Sequence, residues 1–157
     1  SVRRFLSEEL EARALPVDRP HMTDLANELR RNYGSSYIAE QLFRQAERAG
    51  HDCIIESIRT VGEISALRQL GAFRLIAVDA PAELRYARIR ERKSSTDGVS
   101  LEQFIADEAK EMRNEDPGKQ NLAACMAQAD VLLLNEGSVE ELEAKVARCL
   151  EKMAVSL

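Results

Sequence analysis

Three short apolar runs stand out against an otherwise helical pattern. Cys53-Ile54-Ile55 lies between Asp52 and Glu56, Leu75-Ile76-Ala77-Val78 ends at Asp79, and Val131-Leu132-Leu133-Leu134 ends at Asn135. None alternates apolar with polar positions, which is the pattern of parallel strands covered on both faces. Elsewhere apolar residues recur at helical spacing: Ile38, Leu42, Phe43, Ala46 and Ala49; Leu101, Phe104, Ile105 and Met112; and Val139, Leu142, Val146, Leu150 and Met153. Thr60-Val-Gly-Glu63, Ser100-Leu-Glu-Gln103 and Ser138-Val-Glu-Glu141 match the capping box, in which a hydroxyl accepts from first-turn amides and the fourth side chain reaches back. Gly34 ends a helix from Met22 to Tyr33, and Gly50 ends the next. The order is then helix, helix, strand, helix, strand, helix, helix, helix, strand, helix, an α/β chain with a parallel sheet between helical layers.

Composition narrows the function classes. The 157 residues are 45% apolar and 31% charged, with a net charge of −5, the proportions of one globular domain. Cys53, Cys125 and Cys149 are scattered thiols without a C-x-x-C pair, the usage of a reduced cytoplasmic protein and not of a disulfide framework or zinc site. No apolar run approaches the roughly 20 residues of a membrane span. Charge is uneven: residues 94–157 hold six basic and thirteen acidic side chains, and the one basic stretch runs from Arg74 to Lys93. With 4% aromatics, this excludes a broad nucleic-acid groove with stacking platforms and suits a small polyanion such as a nucleotide.

In open α/β sheets, ligands sit beyond the carboxyl ends of the strands. There the first run is followed by Glu56 and Arg59, a carboxylate able to orient the water shell of Mg²⁺ and a guanidinium able to grip phosphate. An acidic strand end with a surface arginine is the equal alternative. The second run opens onto Asp79-Ala-Pro81 and a helix that sets Arg85, Arg88 and Arg92 on one face. Three guanidinium groups there need anions opposite, either phosphates or the acidic C-terminal helices. His21 and His51 fall in turns and read as solvated.

Taken in order, Cys53 to Thr60, Leu75 to Ile89 and Ala129 to Ser138 resemble the nucleotide-kinase branch of the P-loop NTPases. The nearest members are dephospho-coenzyme A kinases and adenylate-kinase-like proteins, and the likeness runs through nearly the whole chain. It implies a three-layer α/β/α fold and one domain, with an acceptor-binding helical region over residues 1–50 and a lid over residues 93–120. It implies ATP-dependent phosphotransfer to a nucleotide or dephospho-coenzyme A, with ATP and Mg²⁺ as cofactors. Arg3 or Arg4 would meet the acceptor phosphate in a pocket that extends to Tyr37, and Glu56 would stand near Mg²⁺. Arg59, Arg88 and Arg92 would serve phosphoryl transfer, and Asn135 and Gly137 would line the adenine. The acid-to-arginine spacing from Glu56 to Arg59 is three, where the family's segment has four.

One departure is larger. The family's phosphate cradle is G-x-x-x-x-G-K-[ST], and none of the seven glycines here is followed by Lys and then Ser or Thr. In the family that loop follows the first, central strand, so the resemblance predicts a sheet lacking its middle strand. The strand and loop would come from an N-terminal segment ahead of Ser1 or from a second chain, or the sheet is rebuilt without them. The 157 residues alone are expected to be inactive. The alternatives are a non-catalytic nucleotide-binding or assembly protein on the same scaffold, and a nucleotide hydrolase.

Overall fold

The computed structural model describes residues 1–92, 100–113 and 120–154. Its elements run α1 (Val2–Ala12), α2 (Arg19–Tyr33), α3 (Tyr37–Ala49), α4 (Val61–Leu70), β1 (Ile76–Asp79), α5 (Ala82–Arg92), α6 (Leu101–Met112), α7 (Leu122–Ala127), β2 (Val131–Leu134) and α8 (Val139–Ala154). The two strands are parallel neighbours in register, Ile76 beside Val131 through Asp79 beside Leu134. The chain is therefore α/β, with a helical crossover between its paired strands. Among the described residues no helix is long and apolar enough to cross a membrane.

The helix boundaries follow their local chemistry. Thr60 accepts from the Glu63 amide at 3.2 Å, while the Glu63 carboxylate accepts from the Thr60 amide at 3.0 Å, completing a capping box. Ser138 and Glu141 exchange the same pair of bonds, each 3.3 Å. At Ser100 only half the box forms, because the Gln103 amide turns to Asp107 at 2.9 Å. Gly34 and Gly50 stop α2 and α3 at φ of +100° and +69°, a region where a side chain is strained. The loop signals at Lys93 to Gly98 and at Pro117-Gly118 lie outside the described residues, as does most of what the lid would add to α6.

Two apolar clusters hold the chain. Phe5, Leu6, Leu10, Leu25, Leu29, Ile38 and Leu42 close the space among α1, α2 and α3, with Ile55 packed against them. Ile64, Leu75 and Cys125 join α4, the start of β1 and α7. The first cluster includes a helix that the sequence pattern did not separate from the acceptor region: Ser1 caps α1, and Phe5, Leu6 and Leu10 form its buried face.

One expected strand is corrected. Residues 52–60 are irregular chain that pairs with no strand among the described residues, so Cys53-Ile54-Ile55 is not a strand in this structure. A strand exists only through its ladder, and the described sheet is β1 and β2 alone. The run's apolar residues divide instead: Ile55 packs on the helical cluster, while Ile54 is 91% exposed. Cover on both faces of the sheet is also incomplete, since Val78, Leu132 and Leu134 are each about half exposed.

Candidate functional site

The carboxyl ends of β1 and β2 gather one arginine cluster. Asp79 ends β1, and Arg85, one turn into α5, donates from Nη1 to its Oδ1 at 2.8 Å and to the Ala80 carbonyl. The same guanidinium grips Glu108 of α6 through two parallel bonds, Nε to Oε1 at 2.8 Å and Nη2 to Oε2 at 2.6 Å. Glu108's hydrogen bonds, then its charge and that of Asp79, hold the Arg85 proton more tightly than usual, against the opposing effect of burial. For Arg85 the expected pairing with the acidic C-terminal half forms, through Glu108.

Arg88, one turn further, reaches the other strand. Its Nη1 donates to the Asn135 carbonyl at 2.9 Å and its Nη2 to the Gly137 carbonyl at 2.8 Å. The structure thus brings together three of the residues the sequence singled out, Arg88, Asn135 and Gly137. Backbone pairing supports the arrangement, because the Asn135 amide donates to the Asp79 carbonyl at 2.7 Å. Arg92 closes α5 and its side chain lies outside the described residues.

A second cluster forms at the start of α4. Arg59 is half-buried: its amide donates to Glu63 Oε2 at 2.9 Å, and its Nη1 donates to Gln120 Oε1 at 3.0 Å. Asn121, which caps α7, donates its amide to the Arg59 carbonyl at 3.0 Å. Beside it, the α2–α3 turn approaches α4 so closely that a Cβ on Gly62 would meet Ser35 Oγ at 3.1 Å. Gln120 and Asn121 carried no sequence signal, because their partner Arg59 is some sixty residues away. Behind this cluster the Cys125 thiol is pushed up to about 11, by burial first and the Glu63 charge second.

The remaining candidates are separate side chains. Glu56 is exposed, and among the described residues no three acidic, histidine or cysteine side chains gather as a metal cage. Ser57 beside it holds φ of +66°, a strained value for a residue with a Cβ. Arg3 is exposed on α1. Arg4 is committed to Glu8, Nε to Oε1 at 2.7 Å, so Arg3 is the freer of the two for an acceptor phosphate. Tyr37 is half-buried and stacks on Tyr33, ring centroids 4.5 Å apart at 24°, with Tyr33 63% exposed. Tyr33 is the residue the sequence reading missed; the signal was its position four before Tyr37, obscured by the helix break at Gly34.

Known proteins place the chain. A UPF0200 protein of Pyrobaculum aerophilum is 31% identical over 144 residues, covering 90% of this chain and 76% of its own. The chain belongs to the UPF0200 family. A UPF0200 protein of Hyperthermus butylicus is 29% identical over 150 residues, 95% of this chain and 77% of that one, so the UPF0200 chain spans about three quarters of both relatives. A UPF0200/UPF0201 protein of Archaeoglobus fulgidus is 30% identical over 152 residues, 94% of this chain but 45% of that longer one. No family model matches the UPF0200 chain. These names carry no activity, so the functional reading rests on the geometry above.

Proposed function

We propose that this UPF0200 chain carries most of a P-loop nucleotide-kinase-like domain, a phosphotransferase that moves phosphate from ATP to a nucleotide or to dephospho-coenzyme A. The observation that carries the reading is the meeting of Arg88 with Asn135 and Gly137 at the carboxyl ends of two parallel strands, where α/β proteins hold ligands. Arg88 fixes the Asn135–Gly137 loop and sets a guanidinium where charge on a transferred phosphoryl group needs one. Arg59, anchored by Glu63 and Gln120 beside the α2–α3 turn, serves the transferred phosphoryl group, Arg3 meets the acceptor phosphate, and the Tyr33–Tyr37 pair lines the acceptor pocket. ATP supplies the phosphoryl group when bound. Glu56 fits Mg²⁺ by its donor chemistry: a lone exposed carboxylate suits an ion that keeps several waters and takes other ligands from phosphate oxygens.

The β,γ-phosphate cradle does not fit these residues, since the sequence holds no G-x-x-x-x-G-K-[ST]. The reading assigns that loop, with a strand ahead of it, to a segment or second chain outside the 157 residues. Two observations support the assignment. Among the described residues β1 has no strand beside it except β2, and the Cys53–Ile55 run, read as its sheet-mate, pairs with nothing. The test compares the 157-residue chain with the same chain carrying such a strand and loop at its N-terminus. Mg-ATP-dependent transfer to nucleoside monophosphates or dephospho-coenzyme A is expected only in the second, and robust turnover by the first overturns the assignment.

A second reading, a non-catalytic nucleotide-binding or assembly protein on this scaffold, draws on one observation. Arg85 and Arg88 each donate to at least two protein acceptors, so both guanidinium groups already have structural partners. It predicts no gain in Mg-ATP affinity when the strand and loop are added.

A further inference from the structure

The groups at the carboxyl ends of the strands leave one charged feature unused, near the opposite end of the sheet. Between β2 and the C-terminal half of α8 lies a cavity of about 470 Å³, within the roughly 300–1,000 Å³ of small-molecule sites. α8 has three cations, Lys145, Arg148 and Lys152, and all three line it, joined by Arg74 from the approach to β1. None of the four glutamates of α8 does. Segregation of this kind runs against the local composition, for residues 94–157 hold six basic side chains and thirteen acidic ones. The carboxylate that lines the cavity, Asp130, is engaged elsewhere: Oδ2 accepts from the Leu75 amide at 2.6 Å and Oδ1 lies 3.5 Å from Arg68.

Two of the cations have ordinary explanations. Lys145 donates to the Leu134 carbonyl at 2.6 Å, blunting the outer edge of β2, and Lys152 sits in the last turn of α8, where the helix dipole favours a positive charge. Arg74 and Arg148 are left over. Arg74 donates to its neighbour's carbonyl, Phe73 at 3.4 Å, and neither arginine meets a carboxylate among the described residues. Guanidinium forks grip phosphate oxygens in pairs and lose less hydration than an ammonium when they do so. The cavity wall beside them is apolar, formed by Val131, Leu133 and Met153.

We propose that the cavity between β2 and α8 binds a small phosphorylated molecule with an apolar body, its phosphate held by Arg74 and Arg148 and its body laid on Val131, Leu133 and Met153. The site is independent of phosphotransfer at the carboxyl ends. The test is an NMR titration of the chain at low ionic strength with 1-naphthyl phosphate and, separately, inorganic phosphate. Saturable shifts are expected at the amides of residues 131–133 and 148–153, with naphthyl phosphate bound at least fivefold more tightly. Arg74→Gln with Arg148→Gln weakens it at least tenfold, whereas Arg59→Ala leaves it unchanged. Equal affinity in the double variant, or shifts confined to residues 56–63 and 135–138, overturns the proposal. If the double variant does not fold, Arg148→Gln alone should lose at least threefold, and no loss is equally fatal. Co-sedimentation with phosphatidylserine vesicles that naphthyl phosphate abolishes would reassign the cations to a lipid surface and overturn the small-molecule site.

Discussion

Replacing Arg85 by Met removes one guanidinium and leaves Asp79 and Glu108 facing each other without a cation. The lost contacts are the paired bonds to Glu108 at 2.8 and 2.6 Å and the bond to Asp79 at 2.8 Å. Their side chains are 31%, 27% and 35% exposed for Arg85, Glu108 and Asp79. Fully exposed pairs contribute about 0.2–1 kcal/mol, and breaking a buried pair costs about 3–5 kcal/mol. A pair about one-third exposed falls between, and water screens part of the repulsion left behind, so Arg85→Met should cost about 2 kcal/mol. In a chain of this length that lowers the melting temperature by about 4–8 °C. Urea unfolding of Arg85→Met, Glu108→Gln and the double variant closes a cycle whose coupling should be about 1 kcal/mol. Arg85→Lys should recover less than half of the loss, because an ammonium cannot present two parallel donors to Glu108. Coupling below about 0.3 kcal/mol, within the additivity of independent sites, or full rescue by Lys would refute the view that Arg85 clamps β1 to α6.

Other perturbations read single features. Thr60→Ala removes the hydroxyl that caps α4 and should cost about 1–2 kcal/mol in urea unfolding, with no loss pointing to a dispensable cap. Ser57→Gly relieves a left-handed residue at about 1–2 kcal/mol but adds about 0.5–1 kcal/mol of unfolded-chain entropy, so the variant should be neutral to slightly more stable; a clear loss would show that the Ser57 side chain makes a needed contact. Thiol labelling of the native chain should strike exposed Cys53 first and spare buried Cys125 and Cys149 until unfolding. Burial raises the Cys125 thiol to about 11, so the neutral form that the fold favours contributes fully below the ordinary thiol value. That contribution is lost as pH rises toward 11, and the melting temperature of the wild type should fall over that range more than that of Cys125→Ala. Asp18 is held below the usual carboxylate range, by the His21 amide first and its ring second, so its contribution to the start of α2 is present above that range and lost as pH falls through the lowered value. Protection of the His21 amide, measured against its intrinsic exchange rate at each pH, should fall there, and constant protection would count against the cap.

What the sequence made legible was local. Thr60 with Glu63, Ser138 with Glu141, and the glycines at 34 and 50 act within one turn of chain, and each stands where the pattern placed it. The runs ending at Asp79 and Asn135 became paired strands, and the arginines after Asp79 lie at the sheet's carboxyl end. Properties that belong to distant partners were not legible. Whether Cys53–Ile55 is a strand depends on a neighbour, and three apolar residues alone fit extended chain equally well. Arg85, Arg88 and Arg59 had the spacing of phosphate ligands, yet their partners lie 23, 47 and 61 residues away. Nothing in a helical stripe says which carboxylate or carbonyl will face it.

The most direct test of the phosphotransfer reading is label transfer from γ-³²P-ATP, by the chain carrying the strand and glycine loop, to nucleoside monophosphates or dephospho-coenzyme A. The reading predicts transfer that falls at least about a hundredfold in Arg88→Ala, as for loss of one donor to transition-state charge, while the melting temperature shifts by only a few degrees. Transfer to none of these acceptors, or transfer undiminished in Arg88→Ala, would contradict it.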